Sequence, residues 1–140
     1  MQQQSRATVL VVDDLEHIRT VLCRNLRSAG HTVLESEDGA KALQMIRDRH
    51  GQVDLVITDV VMLGMNGTVL ADRLTAEFSH VAVVLMSAFA PPGLSRVGFR
   101  DAIVPVLQKP FKPSQLEEIV QMTLRRRRSE HRGTAAGGEG

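Results

Sequence analysis

TVLVVDD, residues 8 to 14, sets five β-branched or apolar residues in a row and follows them with two aspartates. A run that short, with no polar alternation, reads as a strand buried on both faces, and the adjacent acids end it in a loop. Reading outward, Ile18, Val21, Leu22, Leu26 and Ala29 fall at helical spacing, and Gly30 stands where a helix stop belongs. The alternation then recurs. Thr32 to Leu34 predicts a second strand, and Ala42, Leu43 and Ile46 mark a helix closed by Gly51. DLVIT, residues 54 to 58, predicts a third strand that delivers Asp59 at its carboxyl end, and Leu70, Leu74 and Phe78 line the next helix.

VAVVLM, residues 81 to 86, is the most apolar run and is expected to be the central strand, ending at Ser87. Ile103 to Leu107 predicts strand five, followed by Lys109 and Pro110. Leu116, Ile119, Val120, Thr123 and Leu124 predict a last amphipathic helix begun by Pro113 or Ser114. Between them APPGLSRVG, residues 90 to 98, holds two prolines and two glycines, so the fourth helix expected there is short. Five strands alternating with five helices imply a doubly wound parallel sheet with helices on both faces, because parallel strands need right-handed crossovers.

The length of 140 residues fits one domain, expected over 8–127, with a disordered start over 1–7 and a disordered basic, Gly-rich tail over 128–140. Hydrophobic residues at 43% and charged residues at 24% fit a packed globular fold. Cys23 is the only cysteine, so no internal disulfide can form, and a reducing cytoplasm is the expected compartment. No signal core or membrane-length apolar run is present. Residues 1–124 carry 12 basic against 14 acidic side chains, while 125–140 carry 5 against 2, so the positive excess lies in the tail. Arg125 to Arg128 are read first as a solvated helix end that complements the helix dipole, and nucleic acid is not an expected partner.

In doubly wound sheets ligands sit beyond the carboxyl ends of the strands. Four of the five predicted ends carry polar groups: Asp13 and Asp14, Asp59, Ser87, and Lys109. Carboxylates crowded at such a rim repel one another unless a hard cation such as Mg2+ favours their ionisation. The simpler reading of the adjacent aspartates is capping of the first helix, and of Ser87 and Lys109 a satisfied hydroxyl and a solvated ammonium. The coincidence of all of them at separate strand ends favours a site.

VVDD at 11 to 14, TDVVMLGMNG at 58 to 67, LMSA at 85 to 88 and QKPF at 108 to 111 occur in that order, and with them the chain from Thr8 to Leu124 resembles the response-regulator receiver domains of two-component signalling, closest in style to single-domain chemotaxis regulators. The resemblance implies the flavodoxin-like strand order 2-1-3-4-5. It implies that Asp59 takes a phosphoryl group from a histidine kinase or histidine phosphotransfer protein. Asp14, Asp59 and the main-chain carbonyl of Val61 would hold Mg2+, with Asp13 supporting the ion through water, and Ser87 and Lys109 would contact the phosphoryl group. A cis Lys109–Pro110 peptide is also expected. Such a domain signals, catalysing only its own phosphorylation and dephosphorylation.

Three positions depart from the family pattern. Leu63 replaces a proline, Val106 replaces the aromatic ring that follows phosphorylation, and helix four is short and Pro-rich. Phe89 or Phe111 is not assumed to stand in for the ring. Val61 and Phe89, two residues after Asp59 and Ser87, offer no group to orient an attacking water, which predicts slow loss of the phosphoryl group. With no output module after the last helix, a stand-alone regulator or a phosphorelay shuttle is expected ahead of a receiver separated from a hybrid kinase. A haloacid-dehalogenase-type enzyme would need two aspartates separated by one residue, and a dinucleotide site would need a Gly-rich loop where DDLEH stands.

Overall fold

The computed structural model describes residues 6–62, 64–88, 96–99 and 102–139, with side chains over 6–62, 64–88 and 104–127. The elements are β1 (Thr8–Val12), α1 (Glu16–Ser28), β2 (Thr32–Ser36), α2 (Gly39–Asp48), β3 (Leu55–Asp59), α3 (Gly67–Glu77), β4 (Ala82–Ser87), β5 (Arg96–Phe99), β6 (Ala102–Gln108) and α4 (Pro113–Glu139). The strands lie in the order β2-β1-β3-β4-β6-β5. The first five pair in parallel and form the expected 2-1-3-4-5 core, with β6 as its fifth strand.

The unbroken apolar runs are explained by two cores. In β1, Val9 and Val11 enter one cluster while Leu10 and Val12 enter the other. β3 does the same with Leu55 and Ile57 against Val56, and β4 with Val84 and Met86 against Val83 and Leu85. Leu22, Cys23 and Leu26 of α1 and Leu116, Ile119, Val120 and Leu124 of α4 cover the first face. Ala42, Leu43 and Ile46 of α2 and Leu70, Ala71 and Leu74 of α3 cover the second. Each fully buried aliphatic side chain stabilises the fold by about 1.5–3 kcal/mol, so the apolar period itself fixes which face each helix covers.

Local signals set the helix ends. The carboxylate of Asp38 accepts from the Lys41 amide at 2.7 Å to start α2, and the side-chain oxygen of Asn66 accepts from the Val69 amide at 3.0 Å to start α3. α1 closes through Gly30 at φ +97°, whose amide donates to the Arg27 carbonyl at 2.9 Å.

One expectation is corrected. Among the described residues there are four helices, not five: Arg96–Phe99, inside the stretch expected to form helix four, is a strand antiparallel to β6. Pro91 and Pro92 remove amide donors just before it, and Gly93 and Gly98 weaken any helix across it, whereas pairing with β6 satisfies the backbone of 96–99. The last helix begins at Pro113 as expected and runs to Glu139. Leu63 and Phe89 lie outside the described residues.

Candidate functional site

Parallel pairing brings the strand ends to one rim. Val12 sits opposite Thr58, Asp59 opposite Met86, and Ser87 opposite Gln108, so Asp13, Asp59, Ser87 and Lys109 leave neighbouring strands within about a residue of one level. The Lys109 amide donates to the Ser87 carbonyl at 2.8 Å, which ties the β6 exit to the β4 exit. The Lys109–Pro110 peptide is cis, as expected.

Lys109 is the hub. Its ammonium hydrogen-bonds Oδ2 of Asp59 and lies 3.5 Å from Oδ2 of Asp13. Asp59 is nearly buried, and its Oδ1 accepts from the Val61 amide at 3.1 Å, fixing the carboxylate plane. The Asp13 carboxyl is fully buried, with Oδ1 accepting from the Leu15 amide at 3.0 Å and Oδ2 without a hydrogen-bond partner. Burial pushes the Asp13 carboxyl above the usual carboxylate value, the Leu15 amide and the Lys109 ammonium pull it down, and the Asp59 charge pushes it up.

The predicted residues do not all converge to the same degree. Asp13 turns inward, Asp14 is exposed, and Ser87 is partly buried at the end of β4. The capping reading of the two acids meets only part of the geometry: Leu15 occupies the N-cap position of α1 with no side-chain cap, and Asp13 reaches only the Leu15 amide. Val61 is 66% exposed beside Asp59. Val106 is buried against α2 and α3 and faces Leu85 in register, so no large side chain occupies that point of the fifth parallel strand. Phe111 packs half-buried against the opposite core.

Among the described residues no three acids, histidines or cysteines are gathered as a preformed metal cage. The donor chemistry nevertheless fits Mg2+, which binds through one or two carboxylates and keeps several waters. The buried Oδ2 of Asp13, which has no hydrogen-bond partner and shares the Lys109 ammonium with a second carboxylate, is the observation that supports it.

Two groups to which the sequence analysis assigned no role also shape the rim. Gly67 opens α3 with its amide on the Val60 carbonyl at 2.9 Å, and a Cβ there would lie 2.2 Å from the Asp59 carbonyl oxygen. Arg19 donates from Nη1 to the Asp13 carbonyl at 2.6 Å. Both act on main-chain atoms of the acids, to which residue periodicity is blind. At the other end of the molecule Arg127 is taken up by the carbonyls of Asp54 and His80 and the Asp54 carboxylate, a packing role for one member of the Arg125 to Arg128 run. No helix among the described residues is long and apolar enough to cross a membrane.

Comparison with known proteins identifies the family. The family model described as "Response regulator receiver domain" matches residues 9–121. The chain is 36% identical over 118 residues to the sensor kinase CckA of Brucella abortus, covering 84% of this chain and 12% of that protein. It is 34% identical over 120 residues to the DNA-binding transcriptional regulator NtrC of Azospirillum brasilense, covering 86% of this chain and 24% of that one. The chain therefore spans a quarter or less of these relatives. The crystal structure of the receiver domain from the hybrid histidine kinase CckA superposes with a TM-score of 0.70 at 31% identity, covering 84% of this chain and 98% of that one. By this match over most of its length, the chain belongs to the response regulator receiver domains, the phosphoacceptor signalling modules of two-component systems.

Proposed function

We propose that Asp59 is the phosphoryl acceptor, with Lys109 and Ser87 as the groups that receive the incoming phosphoryl oxygens and with Mg2+ held by Asp13, Asp14, Asp59 and the main-chain carbonyl of Val61. The observation that carries the reading is the single ammonium of Lys109 set between the carboxylates of Asp13 and Asp59 at the sheet rim. A carboxylate oxygen of Asp59 attacks phosphorus in line, the bond from phosphorus to the donor nitrogen breaks, and the electron pair leaves with the histidine imidazole. Lys109 neutralises the resting carboxylate and offers its donors to a phosphoryl oxygen once Asp59 is esterified. The Val61 amide keeps one Asp59 oxygen oriented, which limits the angles from which the attack occurs. Ser87 supplies one hydroxyl donor. Mg2+ held by these groups would supply positive charge that stabilises the transferring group.

The phosphoryl donor on this reading is a phosphohistidine on a kinase or phosphotransfer protein, and the output partner is a separate macromolecule or a further segment of a longer chain. Incubation with acetyl phosphate and Mg2+, followed by intact-mass measurement, tests the assignment. One phosphoryl addition that disappears with chelator is the expected result. No addition to the folded wild-type protein under either condition would overturn it.

A further inference from the structure

Asp13 is a costly residue to hold in place. Its carboxyl is fully buried, one oxygen has no hydrogen-bond partner, and it shares one ammonium with Asp59. Repulsion between the two carboxylates and the loss of hydration both favour swinging Asp13 out to water. Something must hold the loop closed.

The backbone of Asp13 is gripped from both sides of its peptide. Its amide donates to the Ser36 carbonyl of β2 at 3.2 Å, and its carbonyl accepts from Nη1 of Arg19 at 2.6 Å. Arg19 sits near the start of α1, where an arginine would ordinarily extend into solvent, yet its side chain is only 15% exposed. Nε of the same guanidinium donates to Oε1 of Glu35 on β2 at 3.2 Å, and Glu35 is steadied in turn by Arg27, 3.6 Å from Oε2. One planar group thus bridges α1, β2 and the loop that carries Asp13 and Asp14, using the fixed fork that lysine lacks. The bond to the carbonyl is charge-assisted and short, which makes it stronger than an ordinary amide contact. Since it ends on a main-chain oxygen, it sets where the carboxylates stand.

We propose that Arg19 is a positioning residue for the acidic rim: oriented by Glu35, it locks the Asp13 carbonyl so that the buried Asp13 oxygen without a hydrogen bond stays beside Asp59, preorganised for a divalent cation. The inference rests on the functional reading of the rim given above. A purely structural tie between α1 and β2 would instead make Arg19 matter to stability alone.

The test measures Mn2+ affinity by electron paramagnetic resonance of the free ion, together with the thermal midpoint in chelator, for wild type, Arg19→Met and Arg19→Lys. Both variants are expected to bind Mn2+ more weakly, on the order of tenfold, as supports of metal ligands do when removed. Arg19→Lys keeps the charge and serves if Arg19→Met fails to fold. Arg19 and Glu35 also line an open cleft of about 250 Å3 with Ser36, Glu37, Lys41 and Met45, so guanidinium ion at sub-denaturing concentration can reach the vacated position. Restored Mn2+ affinity in Arg19→Ala by guanidinium, with no gain in wild type, is the accompanying expectation. Variants that lose thermal stability but bind Mn2+ within about twofold of wild type would overturn the role of Arg19. A wild-type protein that binds no Mn2+ and takes up no phosphoryl mass would overturn the functional reading and this inference with it.

Discussion

Asp54 and Asp59 flank the same strand, one just before β3 and one at its last residue, and their surroundings differ in kind. At the amino end, the Asp54 carboxylate accepts from the Thr8 amide at 2.8 Å and from Arg127 at 3.2 Å, and its side chain is 40% exposed to water. The same end holds His31, whose Nδ1 accepts from the Ala7 amide at 3.1 Å and whose Nε2 then donates to Glu117 at 3.0 Å. Each of these groups has a partner or solvent. At the carboxyl end, Asp59 and the fully buried Asp13 share one ammonium, and an Asp13 oxygen has no hydrogen-bond partner. The first end fastens β1, β3 and α4 together. The second keeps carboxylate capacity unspent, which is what the proposed cation and phosphoryl chemistry needs.

The sharpest way to break this contrast is to replace each aspartate by its amide. Asp59→Asn should abolish phosphoryl uptake from acetyl phosphate, because the amide keeps the shape and loses the nucleophile. Asp54→Asn should leave uptake at the wild-type level and lower stability by about 1 kcal/mol in denaturant titration, the worth of one or two partly exposed polar contacts. Equal loss of phosphorylation in both would erase the distinction.

Next in size is Gly67→Ala. The added methyl would meet the Asp59 carbonyl oxygen at 2.2 Å, against backbone that cannot turn aside as a side chain can. The Asp59 end of β3 must move, and a displacement approaching 1 Å costs on the order of 100-fold in rate. Overpacking should also destabilise the fold by about 1–3 kcal/mol. Stopped-time mass spectrometry gives the rate, and an unchanged rate would show that the rim tolerates displacement of its acceptor.

Asp13→Asn should act in the opposite direction on stability. Folding raises the Asp13 carboxyl above its ordinary value of 3.8, mainly through burial, so the folded protein holds the proton more tightly than the unfolded chain. The stability this group contributes is present at low pH and is lost as pH rises from the ordinary carboxylate range through the raised value. The asparagine variant lacks that loss, so in chelator it should be more stable than wild type at neutral pH, with the gap closing toward acid. Denaturant midpoints across pH check this, and a variant less stable at neutral pH would show that Asp13 is fully compensated.

The smallest effect is expected at Val61, which is exposed beside Asp59 and offers no side-chain hydrogen bond to a water. Val61→Asn should shorten the phosphoryl lifetime by a few-fold, within the ~100-fold or more that full general-base assistance provides. Decay of the phosphorylated mass after donor removal, in excess Mg2+, measures it. An unchanged or longer lifetime would remove Val61 from the account.

Much of this was legible in the sequence, and the parts that were not share a physical cause. The five parallel strands announced themselves because strands buried on both faces need unbroken apolar runs, as in β1 and β4. Asp13, Asp59, Ser87 and Lys109 stood out because strand ends in such sheets share one rim. β5 was missed because Arg96–Phe99 owes its strand to pairing with β6, a non-local partner, and its own residues only argue against a helix. Which of two adjacent acids turns inward cannot be read from adjacency, and the structure buries Asp13 while exposing Asp14. Arg19 escaped for a further reason: its partner is a carbonyl oxygen, which every residue type possesses. The spacing of Arg19 five residues beyond Asp14, on the same helix that leaves the acidic loop, is the only trace of it in the pattern.

The most direct measurement is to locate the phosphoryl group chemically. After phosphorylation with acetyl phosphate and Mg2+, borohydride reduction converts an aspartyl phosphate to homoserine, and peptide sequencing by mass spectrometry identifies the position. Homoserine at position 59, and at none of positions 13, 14 or 54, is the predicted result. Homoserine at another of these aspartates, or none in protein that has gained phosphoryl mass, would contradict the assignment of Asp59 as the acceptor.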